Sequence, residues 1–457
     1  MTALWLAVWL WLGWMVMPGL GAEVPVPPKY QGIPLTCYEE VSNKFAQGNG
    51  RVFALSEIAS KYIEAKDNDR AVELLNQALE LLKDSEDNSQ KAYLMVEIAD
   101  RYTKAGQKQQ AEATLNKAYT LVKGFTNQTD RAFAAVKIAR AYADYGDKDK
   151  ASRLLQQAFV PTKDIRDVYA KSRAYAAIAS AFISIGDPAS ANSALEQAQN
   201  YAGMSLDPNA RARALIEIAG TYAELKDHAQ AIKYLQSAFQ QLEGEIPDEY
   251  KGDFSARAFA FITERYLATD QPEQAKAVLS NIPDQSLEKG IGLLNLSTRY
   301  RKDNQLEQAK TTIADSLAKI TALPDSLDKA AVLSEIAEGY RLLGDQKSAK
   351  EAVSASAAVV AKLTNPAEKI YALNALASQA ADRNEQSEAK QYLDQSLAVV
   401  GETDKNKPLN NRDRAVSDIA GLYWQIGETD TASRVAESLS PGLEKDQLTA
   451  LFACANK

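Results

Sequence analysis

Histidine and cysteine, the side chains that most often carry acid–base and nucleophilic chemistry, are scarce in this chain. It has one histidine, His228, and two cysteines, Cys37 and Cys454, near opposite ends of the sequence. His228 follows Asp227 in a predicted turn, where a surface role is expected. Neither cysteine has the spacing of a metal site, and no nucleophile-elbow, zinc-protease or phosphate-loop motif is present. The sequence therefore predicts no catalysis by histidine or cysteine, no metal and no cofactor.

Carboxylates are the remaining candidates for chemistry, since the chain has 60 aspartates and glutamates. A pair of acids brought together by the fold could act as general acid and base. However, Glu57, Glu97, Glu217 and Glu335 recur at one position of a repeat, which favours a solvated or inter-repeat face. A hydrolase with a carboxylate pair is kept as a third, minor alternative, and the main prediction is that the protein is not an enzyme.

The recurrence is most regular at one apolar position, which we call the anchor. The spacings between anchors are 40, 40, 40, 40, 44, 34, 40, 40 and 43 residues. A small residue mostly follows at the next position, and an aromatic residue four positions after the anchor. The ten anchors are Ile58, Ile98, Ile138, Ile178, Ile218, Ile262, Leu296, Ile336, Leu376 and Ile419. This pattern predicts a stacked array of helices.

A turn and a second helix follow each anchor. Eight residues after it stands a glycine or asparagine in most repeats, such as Gly146 or Asn304, which can adopt the left-handed conformation that ends a helix. An aspartate such as Asp147 then often provides an N-cap. Alanine, leucine and alanine follow 13, 17 and 20 residues after the anchor, as in Ala151, Leu155 and Ala158. Each repeat is thus predicted to be helix, turn, helix and loop.

This order of apolar, small and aromatic residues, followed by alanine, leucine and alanine, resembles the tetratricopeptide repeat (TPR), in a variant of about 40 residues. The resemblance covers residues from about 51 to the C-terminus. It implies an all-α, right-handed superhelical α-solenoid of about ten repeats. Residues 445–457 begin the pattern once more and are predicted to form a C-terminal capping helix.

A basic residue stands seven positions before nearly every anchor. The series is Arg51, Lys91, Arg131, Lys171, Arg211, Lys289, Lys329, Lys369 and Arg412, with Lys445 in the cap. A cation in the first turn of a helix opposes the helix dipole. We therefore expect each of these side chains to make a salt bridge or to pack at a repeat junction.

The resemblance also implies a partner-binding groove, lined by positions five residues before and two after each anchor. At the first of these positions three aromatic residues precede three arginines, namely Phe53, Tyr93, Phe133, Arg173, Arg213 and Arg257. The aromatic rings could hold apolar side chains of a partner and the arginines its carboxylates. The alternative is that these residues pack against the neighbouring first helix and bind nothing.

The N-terminus predicts export. The segment 2–22 has no charged residue, contains four of the five tryptophans and ends in small residues. We interpret residues 1–22 as a signal peptide or, if uncleaved, a membrane anchor, because about 20 apolar residues can span a bilayer. Residues 23–50 are assigned to a proline-rich linker and N-terminal cap, and 51–457 to the solenoid.

The expected function is that of an exported scaffold or assembly factor, periplasmic or extracellular, which holds a protein or peptide partner. The alternative is a membrane-anchored binding subunit of a cell-envelope complex. Nucleic acid is not an expected partner, because the formal net charge is −8 and no basic run stands out. A disulfide between Cys37 and Cys454 is not expected either, since a solenoid normally holds its ends farther apart than the roughly 7 Å a disulfide allows.

Overall fold

A computed structural model describes residues 32–242, 248–403 and 412–457, in which all regular structure is helical and no strand occurs. Helix α1 (Leu35–Phe45) precedes ten helix pairs, and α22 (Leu443–Ala455) follows them. The pairs are α2 (Gly48–Glu64) and α3 (Asn68–Leu81); α4 (Asn88–Lys104) and α5 (Lys108–Lys123); α6 (Gln128–Tyr145) and α7 (Lys148–Lys163); α8 (Val168–Ile185) and α9 (Pro188–Met204); α10 (Pro208–Glu224) and α11 (His228–Leu242); α12 (Asp248–Ala268) and α13 (Pro272–Leu279); α14 (Leu287–Lys302) and α15 (Leu306–Thr321); α16 (Leu327–Leu342) and α17 (Gln346–Lys362); α18 (Pro366–Asp382) and α19 (Gln386–Glu402); α20 (Arg412–Gln425) and α21 (Thr429–Glu437). The prediction of an all-α solenoid with ten repeats and a cap is confirmed.

The anchors form the core of the stack. All ten are at most 3 % exposed, and the alanine, leucine and alanine of the second helices are equally buried in the first five repeats. In the seventh to ninth repeats a serine replaces the last alanine. Two of these serines compensate for their burial with hydrogen bonds to the neighbouring first helix: Ser316 Oγ donates to the Gly290 carbonyl and Ser356 Oγ to the Ala330 carbonyl, both over 2.7 Å.

The turns within the repeats follow the predicted chemistry. Gly146 and Asn304 have φ values of 103° and 61°, in the left-handed region. Lys66 and Lys226 occupy the same conformation without the help of glycine, with φ of 64° and 65°. Asp147 then caps the next helix, because its carboxylate accepts the backbone N–H of Lys150 at 2.9 Å.

At three junctions the recurring basic residue caps the preceding second helix. Lys289 Nζ donates to the carbonyls of Leu279 and Ile282, over 2.6 and 3.3 Å, where α13 ends. Lys369 Nζ donates to the Ala361 carbonyl at 2.9 Å, and Lys445 Nζ to the Glu437 carbonyl at 2.5 Å. The negative end of one helix dipole therefore compensates for the unfavourable position of the cation on the next helix. This confirms the predicted role at repeat junctions.

The chain divides into two compact bodies. The terminal body comprises Met1–Asp84, Pro324–Glu338 and Gln346–Lys457, and the central body Ser85–Leu323 and Gly339–Asp345. The central body holds the second to seventh repeats. The terminal body contains the first repeat and most of the last three repeats.

The expectation that the two cysteines stay apart is wrong. Within the terminal body α1 packs against α22, and Cys37 and Cys454 form a disulfide with their Cα atoms 5.7 Å apart, although 417 positions separate them in sequence. The cap is thus covered on both sides. The Phe452 ring stacks on Trp424 of the tenth repeat at 4.7 Å, and α1 lies against the other side of the helix.

The boundary between the N-terminal linker and the solenoid differs from the prediction as well. Helix α1 lies within the assigned linker and cap, and α2 begins at Gly48 instead of residue 51. Residues 1–31, which include the predicted export segment, lie outside the described residues. Among the helices of the described part, none is long and apolar enough to cross a membrane.

Candidate partner-binding groove

The candidate site lies on one side of the first helices of the central body. Because successive residues of an α-helix are about 100° apart, positions five before, one before, two after and six after the anchor share a sector about 60° wide. This sector faces away from the anchor. We call these positions the inner stripe. Five of the six predicted site residues belong to it in the central body, whereas Phe53 lies on α2 in the terminal body, 38 % exposed.

The stripe begins with aromatic rings under cations. Lys137 Nζ of α6 lies 5.1 Å from the ring centre of Tyr93 on α4. One repeat later the Arg173 guanidinium lies 5.7 Å from the Phe133 ring and 5.6 Å from that of Tyr169. Such cation–π contacts contribute about 0.5–1 kcal/mol at exposed sites. The structure therefore brings Tyr93, Phe133 and Arg173 into one row, in which part of each ring already contacts a neighbouring repeat.

An ion pair also links the α4 and α6 helices. Glu97 accepts hydrogen bonds from Lys137 at 3.1 Å and from Arg101 at 3.5 Å. Burial opposes the ionisation of Glu97, but the two cations outweigh it and lower the pKa of the carboxyl below its usual value. Glu97 is thus an inter-repeat residue, as the recurrence of glutamate predicted.

The middle of the stripe brings charged side chains of several repeats near one another. Arg140 of α6 is exposed to solvent, yet the surrounding protein removes enough water to lower the pKa of its guanidinium. The charges that act on it include Glu224 and Arg265, which lie two and three repeats further along. Side chains of helices so far apart in a stack interact only where those helices curve towards one another. Arg140 therefore lies on a surface to which side chains of several first helices contribute, and we call this surface the candidate groove.

The charges in this groove are only partly neutralised. Glu224 forms an ion pair with Arg265, whereas Arg140 donates a hydrogen bond of 2.9 Å to the neutral hydroxyl of Ser180. Glu264 of α12 is exposed, but burial by the surrounding groove raises the pKa of its carboxyl. Arg140 and Glu264 thus have no ion pair within the part of the chain that the structure describes, although the surrounding protein shifts the pKa of each.

The remaining predicted residues differ in their contacts. Arg213 on α10 is exposed, and the structure gives it no ion pair within the described residues. Arg257 on α12 is 53 % exposed and lies 3.5 Å from the carboxylate of Glu288. Arg213 is therefore the predicted arginine most available to a partner.

Sequence reasoning missed Arg140, Glu224, Glu264 and Arg265. Arg140 and Glu264 stand two residues after their anchors, a position that was predicted to face the groove. The sequence therefore indicates that both side chains face the groove, but the residue types at this position vary from repeat to repeat. Only the arrangement of neighbouring helices shows which of them come together.

The structure places His228 differently from the prediction. It is the first residue of α11 and half-buried, not a surface turn residue, with its ring 4.9 Å from that of Tyr266. A cleft in the terminal body, lined by residues of α17, α18 and α19, contains a single acidic residue, Glu388. Among the described residues no group of three or more His, Cys, Asp or Glu could hold a metal ion.

Comparisons with known proteins bear on the fold. A tetratricopeptide repeat model matches residues 212–240, which run from α10 into α11. The solved structure of Ton1535 from Thermococcus onnurineus is 14 % identical, with 78 % of this chain and 98 % of that chain covered and a TM-score of 0.35. Yeast Tom70 is also 14 % identical, with 89 % and 95 % covered and a TM-score of 0.30. No curated protein matches the sequence.

The matched segment lies in the fifth of ten helix pairs. All ten share its apolar anchor and its left-handed turn, and nine share its aromatic residue, whose place is taken by Ala380 in the ninth pair. The other pairs are thus similar to the matched segment in sequence pattern and in local structure. The chain is similar to tetratricopeptide-repeat proteins, with a repeat of about 40 residues.

Proposed function

We propose that the protein is a non-enzymatic scaffold or assembly factor that holds a segment of a partner protein along the inner stripe of the central body. The observation that carries this proposal is the row of stripe residues on successive first helices, in which Tyr93, Phe133 and Arg173 lie against one another's repeats and the exposed side chains of Arg140 and Glu264 have no ion pair within the described residues. A partner segment that supplies an acidic group to Arg140 and a basic group to Glu264 would satisfy both.

The rest of the stripe extends this description of the partner. The exposed Arg213 would bind a second carboxylate, and the partly covered rings of Tyr93 and Phe133 would contact apolar side chains at low cost in side-chain entropy. The partner segment is therefore apolar at the end near α4 and acidic towards α10.

We also propose that the protein is exported to the periplasm or the extracellular space. The disulfide between Cys37 and Cys454 supports this, because disulfides form and persist mainly in oxidising compartments. The uncharged segment at residues 2–22 supports it independently. If this segment stays attached, the protein is a membrane-anchored binding subunit. N-terminal sequencing of the native protein and a high-salt wash of membranes separate the two forms.

The binding proposal is tested by replacing Arg140 and Arg213 together with glutamine. Proteins captured from the native envelope fraction by the wild type are identified, and the main one is purified for titration. We expect the double variant to bind it at least 10-fold more weakly, with a melting temperature unchanged within about 1 °C. The matched control is Arg153→Gln on the second helix α7, an exposed arginine away from the stripe. Equal binding by both variants would refute the assignment of the groove.

A further inference from the structure

The helices at the two ends of the chain, α1 and α22, are each attached to a different repeat of the terminal body. Helix α1 is held by the first repeat. Its buried Glu39 accepts a hydrogen bond from the Tyr62 hydroxyl at 2.6 Å and forms an ion pair with Arg70 of α3. Near the end of α1, the Asn43 side chain accepts a hydrogen bond of 2.7 Å from Arg51 of α2. Helix α22 is held by the tenth repeat, through the ring stacking described above.

These contacts place α1 where a second helix would precede the first repeat. In the seventh repeat the aromatic residue four positions after the anchor, Tyr300, donates to Glu273 of the preceding second helix at 3.0 Å. Tyr423 of the tenth repeat donates in the same way to Asp394 at 2.5 Å. The bond from the first repeat to α1 is of this kind, and the recurring basic residue Arg51 contacts α1 near its end. Helix α1 is therefore a second helix without a first helix adjacent in sequence.

Helix α22 supplies that first helix from the other end of the chain. Cys454 stands one residue before the C-terminal end of α22, and Cys37 stands in the first turn of α1. In the ten helix pairs, two or three residues separate the C-terminal end of the first helix from the start of the second. The disulfide therefore joins α22 to α1 at the point where a turn joins the helices of the ten pairs.

The contact between α22 and α1 is less complete than the contact within an ordinary pair. The residue after the anchor is at most 4 % exposed in all ten repeats. The corresponding residue of α22, Ala453, is exposed. The two helices are also short, with 11 residues in α1 and 13 in α22. The covalent bond therefore carries a larger part of the attachment than a turn does in the ten pairs.

We propose that α22 and α1 form an eleventh helix pair, composed of the two ends of the chain, and that the bond between Cys37 and Cys454 is a redox-operated latch on this pair. In the oxidised protein the bond takes the place of the missing turn and the pair is closed. In the reduced protein the two helices part, because each is attached to its own repeat and their mutual contact is incomplete. Each then becomes a terminal helix that is covered on one side and frays.

The latch is open to thiol–disulfide exchange from one side. Cys37 is 3 % exposed, whereas Cys454 is half-buried, so an incoming thiolate attacks the Cys454 sulfur. A mixed disulfide forms at Cys454, and the electron pair of the broken bond leaves with the Cys37 sulfur, in the first turn of α1, where the helix dipole stabilises negative charge. A second thiol releases Cys454, so two external thiols give two electrons and two protons to the cysteines and become one disulfide. An external disulfide closes the latch by the reverse reaction.

The latch makes closure of the eleventh pair depend on the compartment. In a reducing compartment the two ends of the chain stay separate, and transfer to an oxidising one closes the pair. This consequence rests on the proposed export, whereas the latch itself rests only on contacts within the terminal body.

The test measures the distance between α1 and α22 in the full-length protein. Spin labels are attached to p-acetylphenylalanine at Glu40 and Ala453, which are exposed residues of the two helices, so that both cysteines stay free. We expect one short, narrow distance distribution in the oxidised protein. Dithiothreitol should broaden it and lengthen its mean by on the order of 10 Å, a helix diameter, and glutathione disulfide should restore it. The matched control has labels at Asp144 and Asp149, on either side of the turn between α6 and α7, where reduction should change nothing.

A circular permutant tests the helix pair without the bond. Joining Lys457 to Gly32 leaves residues 456–457 and 32–34 as a five-residue connection between α22 and α1, within the usual range for antiparallel helix pairs. The new ends lie after residue 85, in the loop between α3 and α4, and both cysteines are replaced by serine. This permutant should keep the short distance in the presence of reductant, because the backbone replaces the latch.

Two results would overturn the proposal. An equally short and narrow distance in the reduced wild type would show that the bond has no conformational effect. A permutant that melts cooperatively but shows the long, broad distance would show that the two ends do not form a helix pair. If the permutant fails to fold, the wild-type measurement still decides about the latch. The groove variant Arg140→Gln/Arg213→Gln should respond to reduction like the wild type, so failure here leaves the groove proposal standing, and the reverse also holds.

Discussion

The disulfide between α1 and α22 makes a prediction about where the structure opens first. The bond closes a loop of 417 positions, and the helices it joins bury Tyr38, Leu451 and Phe452 to 2 % exposure or less. Measured native disulfides contribute about 2–5 kcal/mol, whereas the chain-entropy relation, which gives about 6 kcal/mol for this loop, applies only when the whole chain between the cysteines unfolds. We therefore expect reduction to lower the stability of the contact between α1 and α22 by about 4 kcal/mol.

The assay is hydrogen exchange of the native protein, oxidised and after reduction. Because about 1.4 kcal/mol corresponds to a factor of ten, amides in α1 and α22 should exchange up to about 10³-fold faster in the reduced protein. Amides in α6 and α8 of the central body should be unaffected, since the repeats of a solenoid are stabilised by their nearest neighbours. Cys37→Ser/Cys454→Ser should behave like the reduced wild type, which controls for effects of the reductant.

Two outcomes would refute this reasoning. Identical exchange of α1 and α22 in both redox states would mean that non-covalent packing alone holds the two helices together. A uniform acceleration in all helices would mean that the chain unfolds as one cooperative unit, in conflict with a solenoid held by local interfaces.

Three further predictions follow from single residues. Lys289→Met should destabilise the protein by about 1–3 kcal/mol in denaturant unfolding, because the buried carbonyls of Leu279 and Ile282 lose their donor; no change would refute the capping role. Gly220→Ala should also destabilise it, since a Cβ there would lie 2.7 Å from the Phe261 ring, and an unchanged thermal melt would show that the ring can move. Burial raises the pKa of Glu335 to about 7. The protonated side chain therefore makes a favourable contribution to the free energy of unfolding that is fully present below pH 4.5 and is lost as the pH rises through 7. Glu335→Gln should therefore raise the melting temperature at pH 8 but not at pH 4.5, and an equal effect at both would contradict this.

The elements of the fold could be predicted from the sequence because each depends on local chemistry. The anchors and the left-handed turns act within one repeat, and the period of about 40 residues repeats them ten times, with aspartate caps in several repeats. The basic residue before most anchors lies at a junction, as predicted. At Lys289, Lys369 and Lys445 its acceptor is a carbonyl at the end of the preceding helix, a backbone group that the sequence pattern does not reveal.

Contacts between distant repeats could not be predicted in this way. The meeting of α1 with α22, and the approach of Arg140 to Glu224, depend on small rotations between neighbouring repeats that add up along the stack. No single residue encodes them.

The central claim, that the inner stripe holds a partner segment, is tested most directly by site-specific photocrosslinking in the native envelope fraction. A photoreactive phenylalanine at Ser184, an exposed stripe position on α8, is compared with the same residue at Arg153 on the second helix α7. We predict one discrete crosslinked protein from Ser184, lost when Arg140 and Arg213 are also replaced by glutamine, and no such product from Arg153. The same product from both positions, or a product from Arg153 alone, would contradict the account.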